Sequence, residues 1–93
     1  EVIEKTQYDA FFHTDLEAIL NAAGIKRLVL TGVMTHLCVE TTARAAFTRG
    51  FEVFVPADAV ATFDSQLQEG SLRAMAHGFA VPLLSGDILG VMI

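Results

Sequence analysis

The side chain best equipped for chemistry in this sequence is its single cysteine, Cys38. It follows Gly32-Val33-Met34-Thr35-His36-Leu37, a tight connection that leads from an apolar run into residues with helical spacing. A thiol in the first turn of a helix lies among N–H groups without intrahelical partners, at the positive end of the helix dipole. Both favour the thiolate, the nucleophilic form of cysteine. The same N–H groups can receive the oxyanion of a tetrahedral intermediate. Against this stands the commoner behaviour of free cysteine as a small, inert, buried hydrophobe. Spacing alone does not separate the two readings. His36 invites a Cys–His dyad, but residues two apart at a helix start point in different directions. It reads instead as a solvated or pocket-rim histidine. His13 and His77 have no companion at metal-ligand spacing. Lys5, taken alone, is an ordinary solvated lysine.

The elements that must position Cys38 follow from periodicity. Val2 to Glu4 reads as a strand end, and Thr6 to His13 as a loop carrying Tyr8, Phe11 and Phe12. Thr14 with Glu17 predicts a capping box, followed by a helix with Leu16, Ile19, Leu20 and Ala23 on one face and Gly24 as its stop. Arg27 to Thr31 is a continuous apolar-leaning run, as expected of a strand covered on both faces. His36 to Arg49 reads as a helix with Val39, Ala43, Ala46 and Phe47 inward, a Glu40–Arg44 pair outward, and Gly50 as its stop. Glu52 to Val55 is the next strand. Asp64 then caps a helix to His77, and Phe79 to Leu84 is a last strand before a short helical turn from Ser85 to Leu89. Strands alternating with helices predict a parallel sheet in a three-layer α/β/α architecture of Rossmann-like topology. Ligands in such folds bind beyond the carboxyl ends of the strands. Three strand-to-helix turns qualify: around Lys5, around Gly32–Cys38, and around Ala57–Asp64. Asp58 in the last reads as a residue that orders its loop through hydrogen bonds. Val60 and Phe63 there are pocket walls or core.

Composition narrows the function classes. The sequence has 93 residues, enough for one small domain, and 53% of them are hydrophobic. A chain this small has too large a surface for its volume to hide so much apolar material, so a partner surface, including a second copy, is expected. The net charge is −5 and no Lys/Arg cluster occurs, which sets nucleic acid aside. No apolar run approaches the roughly 20 residues of a membrane-spanning helix, and no basic segment opens a secretory signal. One cysteine excludes an internal disulfide, in keeping with a cytoplasmic location.

The order of these segments carries a family likeness. TGVMTHLCVETTARAAFTRGFEVFVPADA is similar to the segment of isochorismatase/nicotinamidase-like cysteine hydrolases that runs strand, G-x-x-T-x-x-C-V, helix, G-x-x-V, strand, D-A. Upstream, EKTQYDAFFHTDLEAIL resembles the lysine-bearing segment of the same superfamily. The likeness covers nearly all of the chain, in order. It implies that residues 1–93 are the C-terminal part of a single isochorismatase-like domain.

Carried over by position, the resemblance implies that Cys38 attacks a carbonyl carbon and that Lys5 supports it. The backbone N–H groups of Met34 and Cys38 would form the oxyanion hole, and the Val33–Met34 peptide would be cis. Tyr8, Phe12 and Thr35 are candidate walls of the substrate pocket. The superfamily's catalytic aspartate, and the ligands of the divalent metal that nicotinamidases hold, would precede Glu1, so this chain itself is expected to bind no metal and to lack part of the catalytic apparatus. Retention of cysteine favours a small amide, of nicotinamide or carbamoyl type, cleaved through a thioester. The rivals are isochorismatase-type cleavage of a vinyl ether, a catalytically silent binding or assembly module, and an unrelated flavodoxin-like domain, for which the glycine loop is missing. Relatives that assemble as homo-oligomers suggest the same here.

Overall fold

A computed structural model describes residues 1–92. In chain order the elements are α1 (Leu16–Ala22), β1 (Arg27–Val29), β2 (Gly32–Val33), a π-helical turn (Thr35–Val39), α2 (Glu40–Thr48), β3 (Glu52–Pro56), β4 (Val60–Ala61), α3 (Ser65–Gly78), β5 (Val81–Leu83) and α4 (Ser85–Met92). Strands β1, β3 and β5 form a parallel sheet in that order, with Leu28 opposite Val53 and Val55 opposite Pro82. The short β2 and β4 pair in parallel as a separate ribbon. The α/β class with parallel sheets is as the periodicity predicts; the ribbon comes in addition.

Both crossovers, through α2 and through α3, step across the sheet in the same direction. Right-handed connections therefore place the two helices on one face. The alternation in β3 agrees: Val53 and Val55 are buried against the helices, while Glu52 is exposed. On α2, Thr42, Ala43 and Ala46 continue an inward stripe begun by Val39. Met75 of α3 and Phe11 of the first loop close the core, with Leu16 and Leu20 of α1 packed on it. The opposite face of the sheet, where Val29, Phe54 and Val81 lie in one row, is open: Val29 is 46% and Val81 51% exposed. Among the described residues α2 and α3 cover one face of the sheet, and β1 is not covered on both faces.

Several local expectations give way. Residues 1–5 form no strand, because no described strand lies beside them to complete a ladder. The capping box at α1 does not form. The Thr14 hydroxyl donates to the Ala10 carbonyl at 2.6 Å and accepts weakly from the Leu16 N–H at 3.3 Å. Glu17 turns instead to Arg49, 2.9 Å away. Phe47 lies at the edge of the inward stripe of α2 and is 54% exposed. By contrast, Asp64 caps α3 through the N–H groups of Gln66 and Leu67, both at 2.9 Å, and Glu40 pairs with Arg44. No helix among the described residues is long and apolar enough to cross a membrane.

Candidate active site

The chain leaves β1, and at Gly32 it turns with φ +115°, a conformation an L side chain rarely adopts. The Gly32 N–H donates to the Ala59 carbonyl at 2.9 Å, so the connection is fixed to the loop after β3. The Val33–Met34 peptide is cis. After Met34 the backbone enters the π turn, in which the Val39 N–H reaches back five residues to the Met34 carbonyl at 3.3 Å. Single π turns recur at functional sites. Cys38 therefore precedes α2 on a wider helical turn, rather than occupying the first turn of a regular α-helix, and it is half-buried.

Against this turn lies the first loop. The Lys5 ammonium is 3.6 Å from Cys38 Sγ, and it also donates to the Gln7 carbonyl at 2.8 Å. Thr42, one turn beyond Cys38 and 7% exposed, ties that loop to α2. Its hydroxyl accepts from the Ala10 N–H at 3.0 Å and donates to the Tyr8 carbonyl at 3.3 Å. Lys5, Cys38 and Thr42 share the lining of one cleft of about 290 Å³ with Ala10, Leu30, Thr31, Gly32, Val33 and Val39. The cleft lies where β1 and β2 end, the place the parallel topology reserves for ligands. Its walls are mostly apolar, with one cation and one thiol facing each other. An ammonium so placed can offset negative charge that develops on a group beside it.

The other candidates are placed differently. Tyr8 and Phe12 line a neighbouring depression with Gln7, Asp9 and Thr41, outside the Cys38 cleft, and both are about half exposed. Thr35 is fully buried and its carbonyl accepts from the Ser71 hydroxyl, while among the described residues its own Oγ1 finds no hydrogen-bond partner. His36 is half-buried, its ring 6.3 Å from that of Phe63 in an edge-on contact. Asp58 orders its loop as expected: it accepts from the Ser85 hydroxyl at 2.6 Å and the Ser85 N–H at 2.9 Å. These two bonds, the hydroxyl first, hold its carboxyl below the ordinary carboxylate range. Thr42 is the residue that motif reading passes over. Its only sequence signal is its spacing of four from Cys38, which puts both on one helical face.

Among the described residues no three His, Cys, Asp or Glu side chains converge as metal ligands. The divalent metal that the family likeness implies thus finds no fitting donor set here, and no metal-dependent step is assigned to this chain.

Fold and cleft together define an α/β protein with a cysteine–lysine site at the carboxyl end of a parallel sheet. The isochorismatase domain matches residues 1–87, and the chain belongs to that family. It is 50% identical over 80 residues to Nicotinamidase 3 of Arabidopsis thaliana, a match covering 86% of this chain and 40% of the relative. The crystal structure of an isochorismatase-like hydrolase from Alkaliphilus metalliredigens superposes with a TM-score of 0.93 at 28% identity, over 98% of this chain and 50% of that one. The nicotinamidase of Staphylococcus aureus superposes with a TM-score of 0.85 at 35% identity, over 87% of this chain and 53% of that one. The chain thus spans about half the length of these relatives.

Proposed function

We propose that the protein is a hydrolase of small amide C–N bonds, of nicotinamide or carbamoyl type, with Cys38 as nucleophile. The observation that carries this is the 3.6 Å approach of the Lys5 ammonium to Cys38 Sγ in a ligand-sized cleft. The amide chemistry named for the nicotinamidases supports the substrate class.

In the proposed reaction the thiolate adds to the amide carbonyl carbon, forming a C–S bond while the carbonyl π electrons move to oxygen. The N–H groups of Met34 and Cys38 hold that oxyanion, and Lys5 offsets its charge. Collapse breaks the C–N bond, and the amine leaves with a proton. Water then attacks the thioester, the C–S bond breaks, and the acid departs as the thiolate is restored. The lining residues of the cleft include no carboxylate. A general acid–base group from outside them completes both proton transfers.

Turnover of nicotinamide and simple carbamoyl amides, read as ammonia release, tests this together with mass analysis of Cys38. Acid formation with a transient acyl adduct on Cys38, both lost in Cys38→Ala, is the expected result. Hydrolysis that persists in Cys38→Ala contradicts it. The absence of a carboxylate in the cleft favours a second reading, a catalytically silent binding module. It predicts neither adduct nor turnover. The open, apolar face of the sheet further supports self-association as the physiological state.

A further inference from the structure

We infer that Ser71 is a positioning residue for Cys38, acting through both ends of the π turn; the inference rests on the nucleophile reading above. Ser71 lies on α3 and is 5% exposed. Its hydroxyl is 2.5 Å from Glu40 Oε1 and 3.2 Å from the Thr35 carbonyl oxygen. Thr35 is the first residue of the π turn, and Glu40 is the first residue of α2. Cys38 lies between them. One hydroxyl proton is thus shared between two acceptors that bracket the reactive residue, a three-centre arrangement of the kind found at helix ends.

The chemistry of the bracket is suited to holding a turn in one geometry. A carboxylate acceptor makes the shorter and stronger bond, because charge-assisted hydrogen bonds are about twice as strong as neutral ones. Ser71 is buried, so little water competes at its hydroxyl, while the partly exposed Glu40 also faces Arg44 through its other carboxylate oxygen at 3.5 Å. Thr42 fixes the Lys5 loop to the opposite side of the same helix. Cys38 and Lys5 are therefore held from two directions: Lys5 through Thr42, and the Cys38 turn through Ser71. π-helical pairing is rare beside regular helix, so loss of the bracket is expected to let the Val39 N–H leave the Met34 carbonyl for regular helical pairing, which would shift Cys38 Sγ relative to the Lys5 ammonium.

A coupling experiment tests this on the intact protein. Iodoacetamide alkylation of Cys38 at pH 7 is measured in wild type, Ser71→Ala, Lys5→Met and the double variant. Hydrogen exchange at the Val39 amide is followed in the same samples. Ser71→Ala is expected to lower the alkylation rate by about fivefold, the scale of an exposed ion pair, and to speed exchange at Val39. In the Lys5→Met background it is expected to have no further effect on alkylation, because the contact it serves is already gone. Ser71→Thr, which keeps the hydroxyl, restores the wild-type rate. Equal losses in both backgrounds, or unchanged alkylation in Ser71→Ala, overturn the inference. Should Ser71→Ala fail to fold, Glu40→Gln weakens the same bracket but also breaks the Glu40–Arg44 pair, so it is read against Arg44→Met, which breaks that pair alone: a loss of alkylation in Glu40→Gln beyond that of Arg44→Met supports the bracket, and equal effects overturn it. If the wild-type thiol is no faster than that of the unfolded chain, the nucleophile reading fails instead. Exchange at Val39 then judges the bracket alone.

Discussion

Lys5 Nζ and Cys38 Sγ stand 3.6 Å apart although 33 residues separate them along the chain. Nothing in the local propensity of either segment brings them together. Lys5 is exposed and Cys38 half-buried, and both line the same cleft. The contact depends on the first loop folding back over α2, and the Thr42 hydroxyl makes both hydrogen bonds that hold it there.

Thr42→Val tests that dependence. Valine keeps the shape and removes the acceptor, leaving the Ala10 N–H part-buried and unpaired. A cost of about 1–3 kcal/mol is expected in urea denaturation followed by circular dichroism. The alkylation rate of Cys38 should fall with it. A variant as stable as wild type and equally reactive would show that the loop is held by other contacts, such as the packing of Phe11 on Phe51 and beneath the Arg49 guanidinium.

Asp58 gives a prediction in pH. Its folded pKa is depressed, by the Ser85 hydroxyl first and the Ser85 N–H second. The stabilisation is therefore fully present above the unfolded carboxylate pKa and is lost as pH falls through the folded value. The urea midpoint of Asp58→Asn should lie below that of wild type near neutrality, and the gap should close in acid. A gap that stays constant from pH 6 to about pH 2 would contradict the assignment.

Self-association is the third expectation. Val33, Phe63 and Val2 are 67%, 82% and 92% exposed, and the row through Val29 and Val81 is half-open. A surface of this kind is costly to leave in water at about 25 cal/mol per Å². Light scattering should report a mass above that of a single chain across the micromolar range. A monomer throughout that range would refute the proposal.

The sequence made the architecture readable because period and punctuation agree. The β3 alternation, the Asp64 cap and the glycines after α1 and α2 each act within a few residues. Long-range competition accounts for the failures. Arg49 outbids the backbone of α1 for Glu17, so the capping box does not form. Val2 to Glu4 have strand-like composition, but no described strand lies beside them. The π turn leaves no pattern that the sequence reading picks out; Ser71 of α3 meets it from 36 positions further along the chain. Cys38 is visible as a residue type, yet only the family likeness sets the nucleophile reading above that of an inert thiol. Lys5 was legible through that likeness alone. Thr42 and Ser71 were not, because a buried hydroxyl that joins distant segments looks in sequence like any other small polar residue.

Folding is expected to make Cys38 a better nucleophile, with Lys5 contributing through its 3.6 Å approach to the sulfur. The direct measurement is the second-order rate of iodoacetamide alkylation at pH 7, compared among native wild type, native Lys5→Met and wild type unfolded in urea. Native wild type should react faster than the unfolded chain. Lys5→Met should lose about fivefold, since an exposed ion pair contributes at most about 1 kcal/mol. A native thiol that reacts no faster than the unfolded one, with Lys5→Met indistinguishable from wild type, would contradict the account and leave Cys38 a structural residue.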